Sequence, residues 1–321
     1  MTSYNSNFEM PLTLKCFKPK YWGNWLALGL LFFFSYCPVC IRDRFAAWVA
    51  NRIYNAKFLN KRKKIAFTNL TLCFPEYTEA QKEQLMRDNI KALAQIAVSL
   101  GELKFRSREY LLNRVNLIGE QYLQDIVAQN KSALFLSPHS YGLDYASIAG
   151  INARGYPLSA MFNDYKNPVF DWFVGGYRTR FTHITGKGAL YHRSEGLKPA
   201  IKSLRDKTHF FYLPDEDHGR KKSIFVPFYA TQKATLPLVG RLAKLGNAVI
   251  LPIYSSYNDK TAKFDIIIHK PLYNILNEDQ EQDSLLMNQA IEQLINENRS
   301  QYMWSLKLLK TRPEVGLKIY K

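Results

Sequence analysis

The sequence predicts an α/β layered domain with a mostly parallel sheet, preceded by a membrane-associated helical segment. Three observations predict it. From residue 131 onward, short runs rich in β-branched and aromatic residues alternate with segments of helical character, the pattern of parallel strands joined by helices. Residues 43–130 carry helical periodicity and helix caps instead. Close to the N-terminus, the stretch Tyr21–Ile41 holds no charged residue.

Taken in order, Tyr21–Ile41 (YWGNWLALGLLFFFSYCPVCI) comes first. As one helix it would span about 31 Å, enough for a hydrocarbon core. Trp22 and Trp25 near one end and Tyr36 near the other suit the two interfaces. The expectation is a single-pass anchor. Gly23, Asn24, Gly29 and Pro38 interrupt it, so a helix half-inserted or lying on the surface, or one buried in a core, are the alternatives. No small-x-small cleavage site follows the apolar run, which argues against a removed signal peptide. Over Arg42–Lys57, Phe45, Trp48, Val49 and Ile53 alternate with basic positions, an amphipathic pattern for a membrane surface. Thr78 and Gln81 form a capping box that opens a helix to about Leu100, its apolar face carrying Leu85, Ile90, Leu93, Ile96 and Ala97. Glu120–Asn130 adds a short helix. The expected strands are Ala133–Ser137, Pro157–Phe162, His209–Leu213, Ala248–Tyr254 and Phe264–His269. Helical stretches at 139–151, 166–179, 189–204 and 234–246 lie among them, and Asp279–Asn298 closes the set. No Gly/Ser linker divides the chain. Residues 1–42 therefore read as a basic segment and anchor, and 43–321 as one catalytic domain with a helical, membrane-facing part (43–130) and an α/β core (131–321).

Composition closes several doors. With 47% hydrophobic and only 22% charged residues over 321 positions, the chain is neither disordered nor short of core. A mean hydropathy of −0.26 excludes a polytopic transporter, and no period of 20–50 residues recurs, which excludes a solenoid or propeller. The net charge of +17 calls for an anionic partner. Residues 1–64 hold eleven basic residues against Glu9 and Asp43. Basic residues crowded around an apolar segment suit an anionic membrane, and the KRKK run at 61–64 lacks the interleaved aromatics of a nucleic-acid surface. No nucleic acid is expected. The same run directs the downstream domain to the cytoplasmic side. Of the four cysteines, Cys37-Pro-Val-Cys40 has zinc or redox spacing, but no second pair completes a zinc site, and all four read as small apolar fillers in a reducing compartment.

The most suggestive chemistry lies at Ser137-Pro138-His139-Ser140-Tyr141-Gly142-Leu143-Asp144, where a buried strand ends and a helix begins. Of six histidines only His139 has an acid five residues on, and it stands at the sheet edge where α/β proteins bind ligands. Asp144 is expected to fix the imidazole tautomer and leave Nε2 to accept a proton; a capping or core histidine is the alternative. No G-x-S-x-G nucleophile accompanies it, so the base would act on a substrate hydroxyl. Arg178 and Arg180, in GGYRTR, offer a phosphate clamp or a solvated helix end. In Pro214-Asp215-Glu216-Asp217-His218-Gly219, Asp215, Asp217 and His218 could ligate a metal, the basis of a metal-dependent lipid hydrolase as a rival reading. An ordinary polar loop or a partner for the arginines is preferred, and no metal is expected.

Five blocks in order resemble the bacterial lipid A late (secondary) acyltransferases, the lauroyl and myristoyl transferases, over almost the whole chain. They are Asn69-Leu70 with Cys73-Phe74-Pro75-Glu76, then His139-x4-Asp144, then KNPVFDWFVGGYRTRF at 166–181. After these come YLPDEDHGRKKSIFVPFYATQKATLPLVGRLAK at 212–244, and Gln301-Tyr302-Met303-Trp304 with Lys310-Thr311-Arg312-Pro313 and Ile319-Tyr320. PDEDHG and Tyr229 depart from the usual pattern of that family. The resemblance implies a glycerol-3-phosphate-acyltransferase type of fold. It implies transfer of an acyl chain from acyl carrier protein, as co-substrate and without a cofactor, to a hydroxyl on a 3-hydroxyacyl chain of a lipid A precursor. The setting would be the cytoplasmic face of the bacterial inner membrane. His139 and Asp144 would be catalytic, Arg178 and Arg180 would hold acceptor phosphates, and Asp215 and Asp217 would position those arginines or the sugar. A glycerophospholipid or other glycolipid is the alternative acceptor.

Overall fold

The computed structural model describes residues 12–163, 165–275 and 278–320. The chain opens with α1 (Trp22–Tyr36), α2 (Val39–Ile53), α3 (Asn60–Cys73), α4 (Glu79–Phe105) and α5 (Arg108–Asn113). Then follow β1 (Val115–Ile118), α6 (Glu120–Ala128), β2 (Ser132–Leu136), α7 (Leu143–Tyr145), a π-helical stretch at Ala146–Ile151 and β3 (Leu158–Phe162). Next are α8 (Pro168–Arg178), α9 (Thr182–Thr185), β4 (Leu190–His192), α10 (Lys198–Arg205), β5 (His209–Tyr212), β6 (Ile224–Phe228) and β7 (Thr231–Thr235). Helix α11 (Val239–Gly246), β8 (Ala248–Asn258), β9 (Lys263–Ile268) and α12 (Gln280–Glu297) complete it.

Seven strands form one sheet in the order β1-β9-β8-β2-β5-β3-β4 among the described residues. Every neighbouring pair is parallel except β8 with β9, so the mostly parallel α/β sheet is as the sequence predicts. Central β2 is buried along its whole length, as a strand covered by helices on both faces must be. One face packs Leu103, Leu111, Leu123, Phe173 and Tyr177; the other packs Leu70, Leu204, Leu242, Ile291 and Trp304. The β6–β7 hairpin stands apart from this sheet.

The N-terminal segment departs from the expected anchor. Rather than one 21-residue helix over Tyr21–Ile41, the chain makes two of 15, broken at Cys37-Pro38. Proline cannot donate the helical hydrogen bond and disfavours helical backbone in the residue before it. Among the described residues, no helix is long and apolar enough to cross a membrane. The limit placed at residue 42 falls inside α2, and the first eleven residues of segment 1–42 lie outside the described part. Helix α1 instead lies along α4, with Leu28 and Ser35 buried. The two helices touch so closely that a Cβ on Gly101 would strike the Leu31 carbonyl and the Ser35 hydroxyl. Its other side leaves Trp22, Leu26, Leu30, Phe32 and Phe33 exposed, and Phe45 and Trp48 of α2 continue that surface. The inward face of α2 is not apolar: Arg42 and Asp43 are buried with Ala46 and Ala50.

Arg42 explains why. Its guanidinium reaches Glu102 of α4 at 2.5 Å, and Glu102 also accepts from Arg114 Nε (2.9 Å), Tyr110 OH (2.9 Å) and Tyr145 OH (2.6 Å). Burial opposes the Glu102 charge, yet Arg114 and Arg42 outweigh it and hold the carboxyl below the usual glutamate value. One carboxylate thereby ties α2, α4, α5 and α7 together. The capping box forms as expected, Thr78 Oγ1 accepting from the Gln81 amide, and α4 runs on to Phe105.

Candidate active site

Parallel β2 and β5 are neighbours in register, Leu136 opposite Tyr212. Each is followed by two residues, of which the second is proline, and then by a polar side chain: Ser137-Pro138-His139 after β2, Leu213-Pro214-Asp215 after β5. Equal offsets from paired strand ends bring His139 and Asp215 together. Asp215 Oδ1 lies 2.6 Å from His139 Nδ1, and Oδ2 accepts the His139 backbone N–H at 2.8 Å and the Tyr302 hydroxyl at 3.0 Å.

This corrects the expected pairing of His139 with Asp144. Asp144 gives both oxygens to α8, accepting from Tyr177 OH at 2.7 Å and Arg178 Nε at 2.8 Å. Five residues of separation across a strand-to-helix turn put the two side chains in one loop, but the adjacent strand end supplies the nearer carboxylate. Burial opposes ionisation of Asp215, but the His139 charge and hydrogen bonds prevail and hold it below the usual aspartate range. An ionised carboxylate only accepts, so Nδ1 carries the proton and Nε2 is free to accept one. Burial likewise opposes the imidazolium, and Asp215 with Glu216 overcomes it, so His139 stands above the ordinary histidine value; Arg193 pulls the other way. The ring is 18% exposed. Glu216 Oε1 is 3.8 Å from Nε2, and its other oxygen is held by Arg193 at 2.6 Å.

The remaining expected residues divide. Arg178 belongs to the site through Asp144. Arg180 turns away and donates to the Leu103 carbonyl at 2.9 Å, so the two guanidiniums are not one clamp. Asp215 and Asp217 do not position the arginines. Asp217 accepts from the Thr311 amide (2.6 Å), the Thr311 hydroxyl (2.8 Å) and the Gly219 amide (2.9 Å), pinning the C-terminal segment. With Asp215 on His139, Glu216 on Arg193 and Asp217 on Thr311, this loop's acids diverge, and no group of three metal-ligating side chains converges among the described residues.

Sequence reasoning missed the brace behind the histidine. Tyr302 bridges Ser140, the Met303 amide donates to the His139 carbonyl (2.9 Å), and Tyr141 N–H donates to the Gln301 carbonyl (3.0 Å). Asn89 donates to the Ser300 and Tyr302 carbonyls and accepts from Tyr141 OH at 2.8 Å. Asn69 donates to the Trp304 and Leu306 carbonyls, both at 2.7 Å. Gly142 passes so close to β8 that a Cβ would come within 2.7 Å of Ser255 Oγ. Asn69 and the Gln-Tyr-Met-Trp block are both distinct in the sequence, but the contacts by which Asn69 holds the block and the block meets the histidine loop are long-range. Beside the histidine loop a mostly apolar cavity is lined by Leu143, Ile148, Leu158, Met161, Phe211 and Leu213, with Asp144 and Arg178 on its wall.

Such a site can withdraw a proton from a bound hydroxyl beside an apolar wall. Comparison with known proteins bears on which hydroxyl. A family model described as bacterial lipid A biosynthesis acyltransferase matches residues 10–311. A lipid A biosynthesis acyltransferase of Haemophilus influenzae is 34% identical over 96% of this chain and 93% of its own. The lipid A biosynthesis myristoyltransferase of Escherichia coli is 33% identical over 100% and 97%, and its lauroyltransferase 27% identical over 92% and 94%. The solved 1-acyl-sn-glycerophosphate acyltransferase of Thermotoga maritima aligns with 81% of this chain and 98% of its own at 14% identity and a TM-score of 0.37.

Proposed function

For this chain, which belongs to the bacterial lipid A biosynthesis acyltransferase family and is an acyltransferase, we propose transfer of a lauroyl- or myristoyl-class chain from acyl carrier protein to a lipid A precursor. The acceptor is a hydroxyl on one of the precursor's 3-hydroxyacyl chains, and His139 is the general base. One observation carries the chemistry: His139 is a part-exposed ring whose Nδ1 is fixed by the buried Asp215, which leaves Nε2 as the nitrogen to accept a proton. Nε2 takes the hydroxyl proton, and the oxygen attacks the thioester carbonyl. The tetrahedral intermediate collapses with cleavage of the C–S bond, and the imidazolium returns the proton to the departing thiolate. Asp215 keeps the proton on Nδ1 and stabilises the imidazolium. The acyl chain starts against the apolar lining beside the histidine loop, and Arg178, steadied by Asp144, meets the polar head of a substrate.

The surroundings support the same reading. The exposed apolar side of α1 and α2, with Lys15, Lys18, Lys20, Arg44 and Arg52 exposed around it, suits a helix pair lying in an anionic membrane interface. We place that interface at the cytoplasmic face of the inner membrane. The exposed Arg220-Lys221-Lys222 run just after the Asp215 loop suits an acidic carrier.

The test is mass spectrometry of a lipid A precursor incubated with the detergent-purified full chain and a mixed pool of acyl carrier protein thioesters. A gain of one acyl unit, lost in His139→Ala, is the expected result. No gain with any thioester, or an undiminished gain in the variant, contradicts it.

A further inference from the structure

The end of the sheet opposite His139 gathers cations without counter-ions. His139 and Asp215 stand beyond the C-terminal ends of the parallel strands β2 and β5. Around the N-terminal ends of β3, β4 and β5 lies a cleft of about 460 Å³, lined by Lys187, Lys202, Arg205 and Lys207 and by the hydroxyls of Ser159 and Ser203. Asp206 is the one acid in its lining. None of the four cations forms an ion pair among the described residues, whereas Arg87, Lys91 and Arg193 each hold a carboxylate. Lys202 and Arg205 lie in the last turn of α10, where cations complement the helix dipole, and Arg205 also donates to the Leu245 carbonyl at 2.8 Å. The dipole does not account for the other two. Lys187 comes from the loop before β4, its Nζ 3.4 Å from the Asp206 carbonyl. Lys207 follows α10 in the left-handed region (φ +61°), a position that usually falls to glycine or asparagine, so its charge is placed there at a cost in backbone strain.

The floor of the cleft is a chain of hydroxyls whose last proton is unclaimed. Ser203 Oγ donates to Ser159 Oγ at 3.2 Å, so the Tyr191 hydroxyl, 3.0 Å from Ser203, donates to it in turn. Ser159 Oγ also accepts the Ala189 N–H at 3.0 Å. Its own O–H is then left without an acceptor among the described residues, in a side chain that is 1% exposed. Buried hydroxyls find partners, and an acceptor seated in the cleft supplies one. Charge narrows the choice. Four cations against one acid leave an excess of three positive charges. A single carboxylate would leave most of it, whereas a phosphate group near two negative charges removes most of it and brings several acceptor oxygens. We propose that this cleft is a second ligand site, which binds a phosphate group carried by a free solute or by a lipid headgroup.

The test needs no acyl transfer, so its outcome is independent of the reaction proposed above. The detergent-purified full chain is titrated calorimetrically with inorganic phosphate, with pyrophosphate and with a short-chain phosphatidic acid below its micellar concentration, all at one ionic strength. Saturable binding is expected. Lys187→Gln combined with Lys207→Asn should weaken it by about tenfold or more, because two charges beside the ligand are gone. Asparagine tolerates the left-handed backbone, so this variant should keep its thermal midpoint in the absence of ligand. Lys221→Gln combined with Lys222→Gln removes the same charge from another exposed run and should change binding by less than about twofold, since distant charges are screened. Phosphate and phosphatidic acid bound alike support recognition of the phosphate group alone; tighter binding of the phosphatidic acid supports a lipid headgroup. No saturable binding by the wild type overturns the proposal. So does equal weakening in the two lysine pairs, binding untouched by the Lys187 and Lys207 changes, or malonate held as tightly as phosphate.

Discussion

Glu102 and Asp215 are both buried carboxylates held below their usual pKa range by cationic neighbours, and both collect donors from distant segments. They differ in what those donors can do next. Glu102 is surrounded by Arg42, Arg114, Tyr110 and Tyr145; the guanidiniums cannot lose a proton, and both phenols are pushed up from their ordinary values by burial and by Glu102. That cluster is a lock joining the N-terminal helices to the sheet. Asp215 holds a histidine instead, whose side chain is 18% exposed and whose second nitrogen has Glu216 3.8 Å away. The same electrostatics yields a fastening in one place and, in the reaction we propose, a base in the other, because among these partners only His139 readily exchanges its proton near neutral pH. A third buried group makes the same point: His209, with no carboxylate partner, accepts the Ala133 N–H and is driven down to about 4 by burial.

Substitution should separate the two clusters cleanly. The largest effect is expected from His139→Ala: turnover falls by roughly 10³- to 10⁵-fold, an active-site base being worth this much or more, with the thermal midpoint unchanged. Glu102→Gln should do the reverse, destabilising the fold by about 3–5 kcal/mol as Arg42 and Arg114 lose their partner, measured by thermal or denaturant unfolding. Specific activity of the protein still folded should stay near wild type. A His139 variant that unfolds, or a Glu102 variant that is stable yet inactive, would erase the distinction. The smallest effect belongs to Tyr302→Phe. Losing one hydrogen bond to Asp215, of about 1 kcal/mol, should lower kcat by about fivefold with little change in KM.

Much of the sheet is legible in the sequence, because buried parallel strands are short apolar runs between helical segments. β2, β3, β5, β8 and β9 fall where the runs are. What escapes does so for identifiable reasons. β4 has three residues and β1 is a four-residue edge strand, too short for any periodicity to register. The β6–β7 hairpin hides because its two-residue loop is Tyr229-Ala230, with Tyr229 at φ +49° where glycine is usual. Tyr229 is held there by Glu292, which accepts its N–H at 2.8 Å, and by packing on Phe74. At the site, His139 is found from its place at a strand end. Its partner is not, since H-x4-D describes one loop whereas Asp215 comes from the neighbouring strand, 76 residues on. The repeated strand-x-Pro-polar pattern after β2 and β5 is the trace of that pairing.

The pairing itself is best tested by pH profiles of kcat/KM for the wild type, Asp215→Asn and Asp144→Asn. His139 must be neutral to act, and Asp215 holds it protonated to a higher pH than a free histidine, so wild-type activity should rise through a limb above about 6.5. Asp215→Asn should lower the plateau by about 10²- to 10⁴-fold and move that limb to lower pH, since the carboxylate that favours imidazolium is gone. Asp144→Asn should leave the limb in place and act through substrate binding. A limb that moves in Asp144→Asn and stays fixed in Asp215→Asn would contradict the pairing of His139 with Asp215.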